Sequence, residues 1–195
     1  MTSCGMCNVQ EYEVIYNNVI RDGTVGKKTT IKHKVVKCIG CDLVRLLDNP
    51  LKMEYYQSDQ YRNAYNETSN PSDYIKMHDN EQPPRLERIG ADFFKDKVVL
   101  DYGCGGGSLL DLVSGLSEKT LGIEPFSGYY KSLVGRGHEI FADIQAAQSK
   151  YQDKVDRVVS FGVLEHVENP QQYLKDAYGL LKKGGKMYLL SLIHI

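Results

Sequence analysis

The alternation of hydrophobic and polar positions changes texture twice along the chain. From Glu11 to Ile20, Tyr12, Val14 and Tyr16 alternate with Glu13, Ile15 and Asn17, the period of a strand. Arg21-Asp22-Gly23 is a turn signal, and Thr29 to Val36 alternates again with Thr29, Ile31, His33 and Val35 on one side. Residues 1–48 therefore read as a small module built on a β-hairpin. Residues 49–95 are polar, begin at Asn49-Pro50 and are broken by Pro71, Pro83 and Pro84. Helices are expected over 51–66 and 84–95. Five of the 14 tyrosines fall here, Tyr55, Tyr56, Tyr61, Tyr65 and Tyr74. Rings of this amphipathic type are expected to pack the small module onto the larger one, with a lid over a ligand pocket as the alternative.

From residue 96 the pattern alternates strand and helix. Lys97-Val98-Val99-Leu100-Asp101-Tyr102 is a short apolar run, followed by Gly103-Cys104-Gly105-Gly106-Gly107-Ser108. Leu109, Leu110, Leu112, Val113 and Leu116 then recur at helical spacing. Thr120–Ile123, His138–Ala142, Val155–Phe161 and Lys186–Ile193 read as further strands. Helices are expected over 126–135, from Asp143 to about Tyr151, and over 171–182 with Leu174, Ala177, Tyr178 and Leu181 inward. Such alternation predicts an α/β fold, a parallel sheet with helices on both faces. Ligands of such sheets bind beyond the carboxyl ends of the strands. Those ends carry Asp101, Glu124, Asp143 and Phe161, three of them acidic.

Composition adds limits. With 24 Lys and Arg against 25 Asp and Glu, the net charge is −1, so no global field draws the chain to nucleic acid or an anionic membrane. Lys27, Lys28, Lys32, Lys34 and Lys37 form a local basic run, read as a solvated strand edge. No apolar run has the length of a membrane span, and the N-terminus lacks a signal-peptide pattern. A cytoplasmic location is expected. The five cysteines are odd in number and sit in a chain expected to be cytoplasmic, and both facts disfavour a disulfide framework. Four form two spaced pairs, Cys4-Gly-Met-Cys7 and Cys38-Ile-Gly-Cys41, which can supply a closed tetrahedral zinc site of structural type; iron would accept the same thiolates. Asn8 and Asp42 follow the two pairs, where the backbone needs positive φ. The module has too few large apolar side chains for a core of its own, so a metal staple is physically needed. His33 is a strand residue on this reading, and Cys104 a small residue in a turn.

A glycine loop between strand and helix is the local chemistry of a nucleotide site. NAD, a nucleotide or S-adenosylmethionine would each fit the loop alone. Ser108 stands where the dinucleotide pattern has its third glycine, Asp101 precedes the first glycine where it can face a cationic ligand, and Asp143 adds a second acid. These features disfavour an NAD-dependent oxidoreductase. Val99-Leu100-Asp101-Tyr102-Gly103-Cys104-Gly105-Gly106-Gly107, Gly122-Ile123-Glu124-Pro125, Ala142-Asp143-Ile144 and Ser160-Phe161-Gly162-Val163-Leu164-Glu165-His166-Val167 together resemble the ordered motifs of class I S-adenosylmethionine-dependent methyltransferases. The N-terminal half is similar to bacterial members that carry a zinc-ribbon-like module.

The resemblance implies a Rossmann-like sheet of seven strands, of which five are found over 96–195, with the acceptor-binding C-terminal part expected to be missing. It implies that Asp101, Tyr102, Gly103, Gly105 and Gly107 hold the methionine part of the cofactor. Glu124 would chelate the ribose, with Pro125 and Phe126 flanking the adenine. Asp143 would reach the adenine amino group, with Ile144 on the ring. Phe161, Gly162 and the following loop would line the place where donor and acceptor meet, with Glu165 and His166 as candidate acid–base groups. The implied acceptor is a small molecule, of the sugar, secondary-metabolite or cell-surface-precursor class. RNA or protein methylation guided by the zinc module, and a non-catalytic binding module, stay open as alternatives. The motifs leave the oligomeric state and the methylated atom unspecified.

Overall fold

The computed structural model describes residues 3–21, 27–47, 56, 58, 62, 68–167 and 169–191. Strands β1 (Tyr12–Asn18), β2 (His33–Cys38) and β3 (Val44–Leu46) form an antiparallel sheet in that order. The expected hairpin is present, and β3 is an addition. Arg21 bridges Lys28 within the connection from β1 to β2, while Asp22-Gly23 lies outside the described residues. Lys34 and Lys37 stand on the central strand, not on an edge, and Lys37 Nζ pairs with Asp42 Oδ1 at 2.9 Å. Of the side expected to carry Thr29, Ile31, His33 and Val35, only His33 is buried, and Ile31 is 64% exposed; Val36 and Cys38, from outside that set, are buried. The β1 register shifts between Val14 and Tyr16, and Val14, Ile15 and Tyr16 are all exposed. A three-stranded sheet with one buried valine offers no apolar layer for an alternating face to cover.

Asn70 caps helix α1 (Pro71–His78), accepting hydrogen bonds from the Ser72 and Asp73 N–H groups. A 3₁₀ turn, Asp79–Glu81, leads into α2 (Gln82–Ile89). The helix expected over 84–95 thus starts earlier and stops at Gly90, whose φ of 88° a helix does not allow. Helix α1 was not expected, although Asn-Pro is a strong start signal. The helix expected over 51–66 lies outside the described residues apart from positions 56, 58 and 62.

The larger sheet is parallel, in the order β6-β5-β4-β7-β8. Its strands are β4 (Val98–Tyr102), β5 (Lys119–Ile123), β6 (Glu139–Phe141), β7 (Val155–Phe161) and β8 (Leu181–Leu190). Helices α3 (Ser108–Ser114), α4 (Tyr130–Gly135), α5 (Ile144–Tyr151) and α6 (Pro170–Leu180) connect them. Strand order reverses between β4 and β7, so the crevice beyond their carboxyl ends is the expected ligand position. Period-two burial feeds both faces. Leu100, Leu121 and Val158 pack with Ala147, Ala177 and Leu180, while Val99 and Val159 pack with Phe94, Leu109 and Val113.

Three expectations are corrected here. Helix α6 buries Tyr173, Ala177 and Leu180, and leaves Leu174 and Tyr178 exposed, the latter at 76%. The helix starts at Pro170 and its phase is set by Tyr173, whose ring stacks on Tyr102 at 4.1 Å. The helix expected over 171–182 ends at Leu180, before Gly184-Gly185. Residues 182–185 instead form an irregularity in β8, between the pairs Val155–Leu181 and Arg157–Lys186, with Gly184 at φ 81°. Leu112, on the expected apolar stripe of α3, is 37% exposed.

Leu100 is fully buried at the centre of the sheet. Leu100→Ala is expected to cost about 2–5 kcal/mol of stability, as lost transfer energy plus a residual cavity. A lowered urea midpoint with an unchanged slope would report it; no change would place the core elsewhere.

Candidate active site

The loop after β4 turns on Gly103 and Gly105, at φ 89° and 54°. Here the positive φ is required, and a Cβ would also collide, with Val163 at Gly103 and with the Tyr74 ring at Gly105. The Gly103 and Cys104 N–H groups donate to the Ile123 carbonyl at 2.9 and 3.1 Å, which ties the loop to β5. Behind it, Arg136 donates to the Gly106 carbonyl and pairs with Asp111, and His138 bridges Asp111 and Thr120 at 2.8 Å on each ring nitrogen.

A cavity of about 540 Å³ opens where the strand order reverses, within the range of small-molecule sites. Asp101, Tyr102, Gly103, Gly105, Glu124, Pro125, Asp143, Ile144, Phe161, Gly162 and His166 all line it. Gly107, Phe126 and Glu165 do not. Gly107 sits behind the loop against Leu133. Phe126 is covered by the Arg62 guanidinium, 3.6 Å above its ring. Glu165 accepts a hydrogen bond from Ser191 Oγ at 2.9 Å, which suits loop packing better than proton transfer.

Asp101 is 4% exposed, and among the described residues no hydrogen-bond donor reaches its carboxylate. Burial pushes it from 3.8 up to about 7, against the pull of the Arg85 charge. Ser108 Oγ and His78 Nε2, both on the cavity lining, are also buried without a partner among the described residues. Unpaired buried polar groups are costly and mark a place for a polar ligand. Glu124 differs. Its Oε2 accepts from the Gly105 N–H at 2.9 Å and its Oε1 from the Phe126 N–H at 2.8 Å, so its direction is fixed. Asp143 caps α5, with Oδ1 accepting from the Ala146 N–H at 2.8 Å. His166 lies in a 3₁₀ turn, Leu164–His166, and burial lowers its pKa while Glu165 opposes the shift. Its imidazole is therefore held toward the neutral form, and Nδ1 is 3.3 Å from the Tyr56 hydroxyl.

Residues 4–41 hold a second cluster. The sulfurs of Cys4, Cys7, Cys38 and Cys41 lie within 4.8 Å of one another. Cys4–Cys41 and Cys7–Cys38 are 3.6 and 3.5 Å apart. A tetrahedral ion with bonds of about 2.3 Å to sulfur sets its ligands roughly 3.8 Å apart. The two knuckles match. The Asn8 N–H donates to the Cys4 carbonyl and the Asp42 N–H to the Cys38 carbonyl, and Asn8 and Asp42 take the positive φ expected of them, 62° and 58°. The Met6 and Cys7 N–H groups facing Cys4 lower its thiol to about 6.

A methyltransferase domain family matches residues 74–192, more than half of the chain. The chain belongs to this family. The methyltransferase domain has its parallel sheet and helices in common with two solved structures, both under 25% identical. One is the DhpI–SAH complex (TM-score 0.53, 17% identity, 72% of this chain and 67% of that one). The other is a protein of Pyrococcus horikoshii OT3 (TM-score 0.50, 19% identity, 71% and 65%). The sheet is thus the Rossmann-like one of the class I enzymes. Among curated relatives, a ubiquinone biosynthesis O-methyltransferase of Coxiella burnetii is 28% identical over 63% of this chain and 56% of its own length. The mitochondrial enzyme of that name from Rattus norvegicus is 28% identical over 48% of this chain and 30% of its own. A tRNA U34 carboxymethyltransferase of a Sulfurovum species is 34% identical over 49% and 34%. The chain thus spans between about a third and just over half of these relatives.

Several cavity residues of the methyltransferase domain escaped the sequence reading. His78, Glu81, Gln82 and Arg85 line one wall at spacings of three, four and seven, a polar helical stripe that was legible once α1 and α2 were placed. Arg85 also lies over the Phe161 ring at 4.8 Å. Tyr74 and Tyr56 face the cavity, which fits the alternative of cover over the site for the described tyrosines of this stretch. Tyr55, Tyr61 and Tyr65 lie outside the described residues. No described helix is long and apolar enough to cross a membrane.

Proposed function

We propose that the chain is an S-adenosylmethionine-dependent methyltransferase acting on a small-molecule acceptor. The observation that carries this is the pairing, in one cavity, of a buried carboxylate without a hydrogen-bond donor, Asp101, with a fixed carboxylate at the neighbouring strand end, Glu124. Asp101 and Arg85 suit the cationic and anionic ends of an amino-acid moiety. Glu124 suits a sugar diol, and Asp143 and Ile144 the edge and face of a purine. When bound, the cofactor supplies an electrophilic methyl group on sulfur. The protein contributes orientation and exclusion of water along the line from glycine loop to His166. His166, held neutral by burial, can take a proton from a hydroxyl or carbon acceptor.

The four thiolates bind a structural zinc ion, which fixes the knuckle facing Asn169 beside the loop after β7. Small-molecule action is favoured over RNA because a net charge of −1 supplies no global field toward nucleic acid. A filter-binding series in rising salt checks this, since phosphate contacts would give a steep salt slope. Calorimetry with S-adenosylmethionine and S-adenosylhomocysteine is the primary test. Absence of binding by either would end the enzyme reading.

Asp101 gives that test a pH signature. Its folded pKa of about 7 lies above the ordinary value of 3.8, so the folded state retains the proton longer than the unfolded chain. Stability of the ligand-free protein should fall as pH rises from about 4 to about 7 and then level off. Asp101→Asn should remove that slope in urea titrations. Affinity for the cationic ligand should rise over the same window as the carboxylate ionises. A flat binding profile would remove Asp101 from the site.

A further inference from the structure

Arg62 comes from the connecting stretch, well away in sequence from every motif, yet it is 4% exposed and lies inside the site. Its donors reach two structures at once. Nη2 faces Glu124 Oε1 at 3.5 Å and Nε donates to the Tyr129 hydroxyl at 3.1 Å. Nη1 donates to the Tyr56 carbonyl at 3.1 Å and the Ser58 carbonyl at 3.4 Å. The same guanidinium lies 3.6 Å above the Phe126 ring and 5.0 Å from that of Tyr129. Tyr56, whose backbone it holds, presents its hydroxyl to His166.

A charge buried this deeply persists only with a counter-charge and satisfied donors. Among the described residues, Glu124 supplies the charge, and the Tyr56 and Ser58 carbonyls accept from Nη1. Among the described residues, the Gly105 and Phe126 N–H groups and Arg62 therefore set the direction of the Glu124 carboxylate. The planar fork of arginine serves these partners on several sides, which the single point charge of lysine does not.

We infer that Arg62 is a positioning residue that couples the ribose end of the cofactor site to the acceptor end: it orients Glu124 for a sugar diol and holds Tyr56 against His166. The inference rests on the reading of Glu124 as the ribose ligand. Ordering of the Tyr56–His166 pair then follows occupation of the nucleoside site, because one side chain serves both.

The test uses the full chain with S-adenosylhomocysteine as probe. Arg62→Ala and Arg62→Lys are each expected to weaken calorimetric binding tenfold or more, with circular dichroism unchanged at least for the lysine variant. In the unsubstituted protein, adding the probe should shift the His166 imidazole signal in proton NMR; in Arg62→Lys that shift should be lost or greatly reduced at a saturating probe concentration. A merely structural role would not separate binding from the His166 signal in this way. Unchanged affinity in Arg62→Lys would overturn the inference, as would tighter binding, which would make Arg62 an occluding group. A His166 shift of full size in that variant would also overturn it. Failure of the unsubstituted protein to bind the probe would instead overturn the cofactor reading itself.

Discussion

Glu124→Ala is expected to weaken S-adenosylhomocysteine binding by about a hundredfold or more in calorimetry. The carboxylate would bond the two hydroxyls of a ribose, and hydrogen bonds to a charged group contribute about 1.5–3 kcal/mol each. A tenfold change corresponds to roughly 1.4 kcal/mol, so two such bonds account for at least two decades. The substitution also removes the acceptor of the Gly105 and Phe126 N–H groups and the counter-charge of Arg62, so the glycine loop itself loses its tie. Glu124→Asp should fall between, because one methylene less prevents a carboxylate from serving both N–H groups at 2.9 and 2.8 Å. A change below threefold in Glu124→Ala would show that the nucleoside binds elsewhere.

Removal of the metal is expected to unfold the β1–β3 sheet while leaving the parallel sheet intact. Val36 is the one fully buried large aliphatic side chain among the described residues of that module. Three strands of 7, 6 and 3 residues with so little apolar burial do not hold together alone. A structural zinc site contributes on the order of 10–16 kcal/mol in zinc-finger peptides, enough to supply the whole fold of such a unit. Freshly purified protein should contain one metal ion per chain by elemental analysis, which also separates zinc from iron. Cys38→Ser or a strong chelator should make residues 1–47 sensitive to protease at once. Cys104→Ser should leave the metal content unchanged, since Cys104 lies in the glycine loop. Metal-free fresh protein with an intact ribbon would refute the site.

The sequence determined a great deal of this protein by itself. Strand β7 is found over Val155–Phe161, the bounds read from the sequence, because Val155, Val158, Val159 and Phe161 mark a strand despite the charges at Asp156 and Arg157. The glycine loop, the acids at three strand ends and the two cysteine pairs were legible for a related reason. Each is a local device whose backbone demand or ligand geometry is written in adjacent residues, as the positive φ of Asn8 and Asp42 shows. Parallel order followed from the alternation of strand and helix.

Only the tertiary structure decided what depends on phase and on distance. Tyr173 rather than Leu174 faces inward on α6, because stacking on Tyr102 sets the helix rotation. Lys34 and Lys37 fall on a central strand because β3 pairs with β2, a pairing that three residues, Val44–Leu46, are too short to announce. The ring of Phe126 is covered, and Glu165 turns to Ser191, through partners far away in the chain. Arg62 is the clearest case. It lies in a polar stretch outside every motif, and it becomes part of the site only when folding brings Glu124, Phe126 and Tyr129 to its guanidinium, sequence separations that no local pattern encodes.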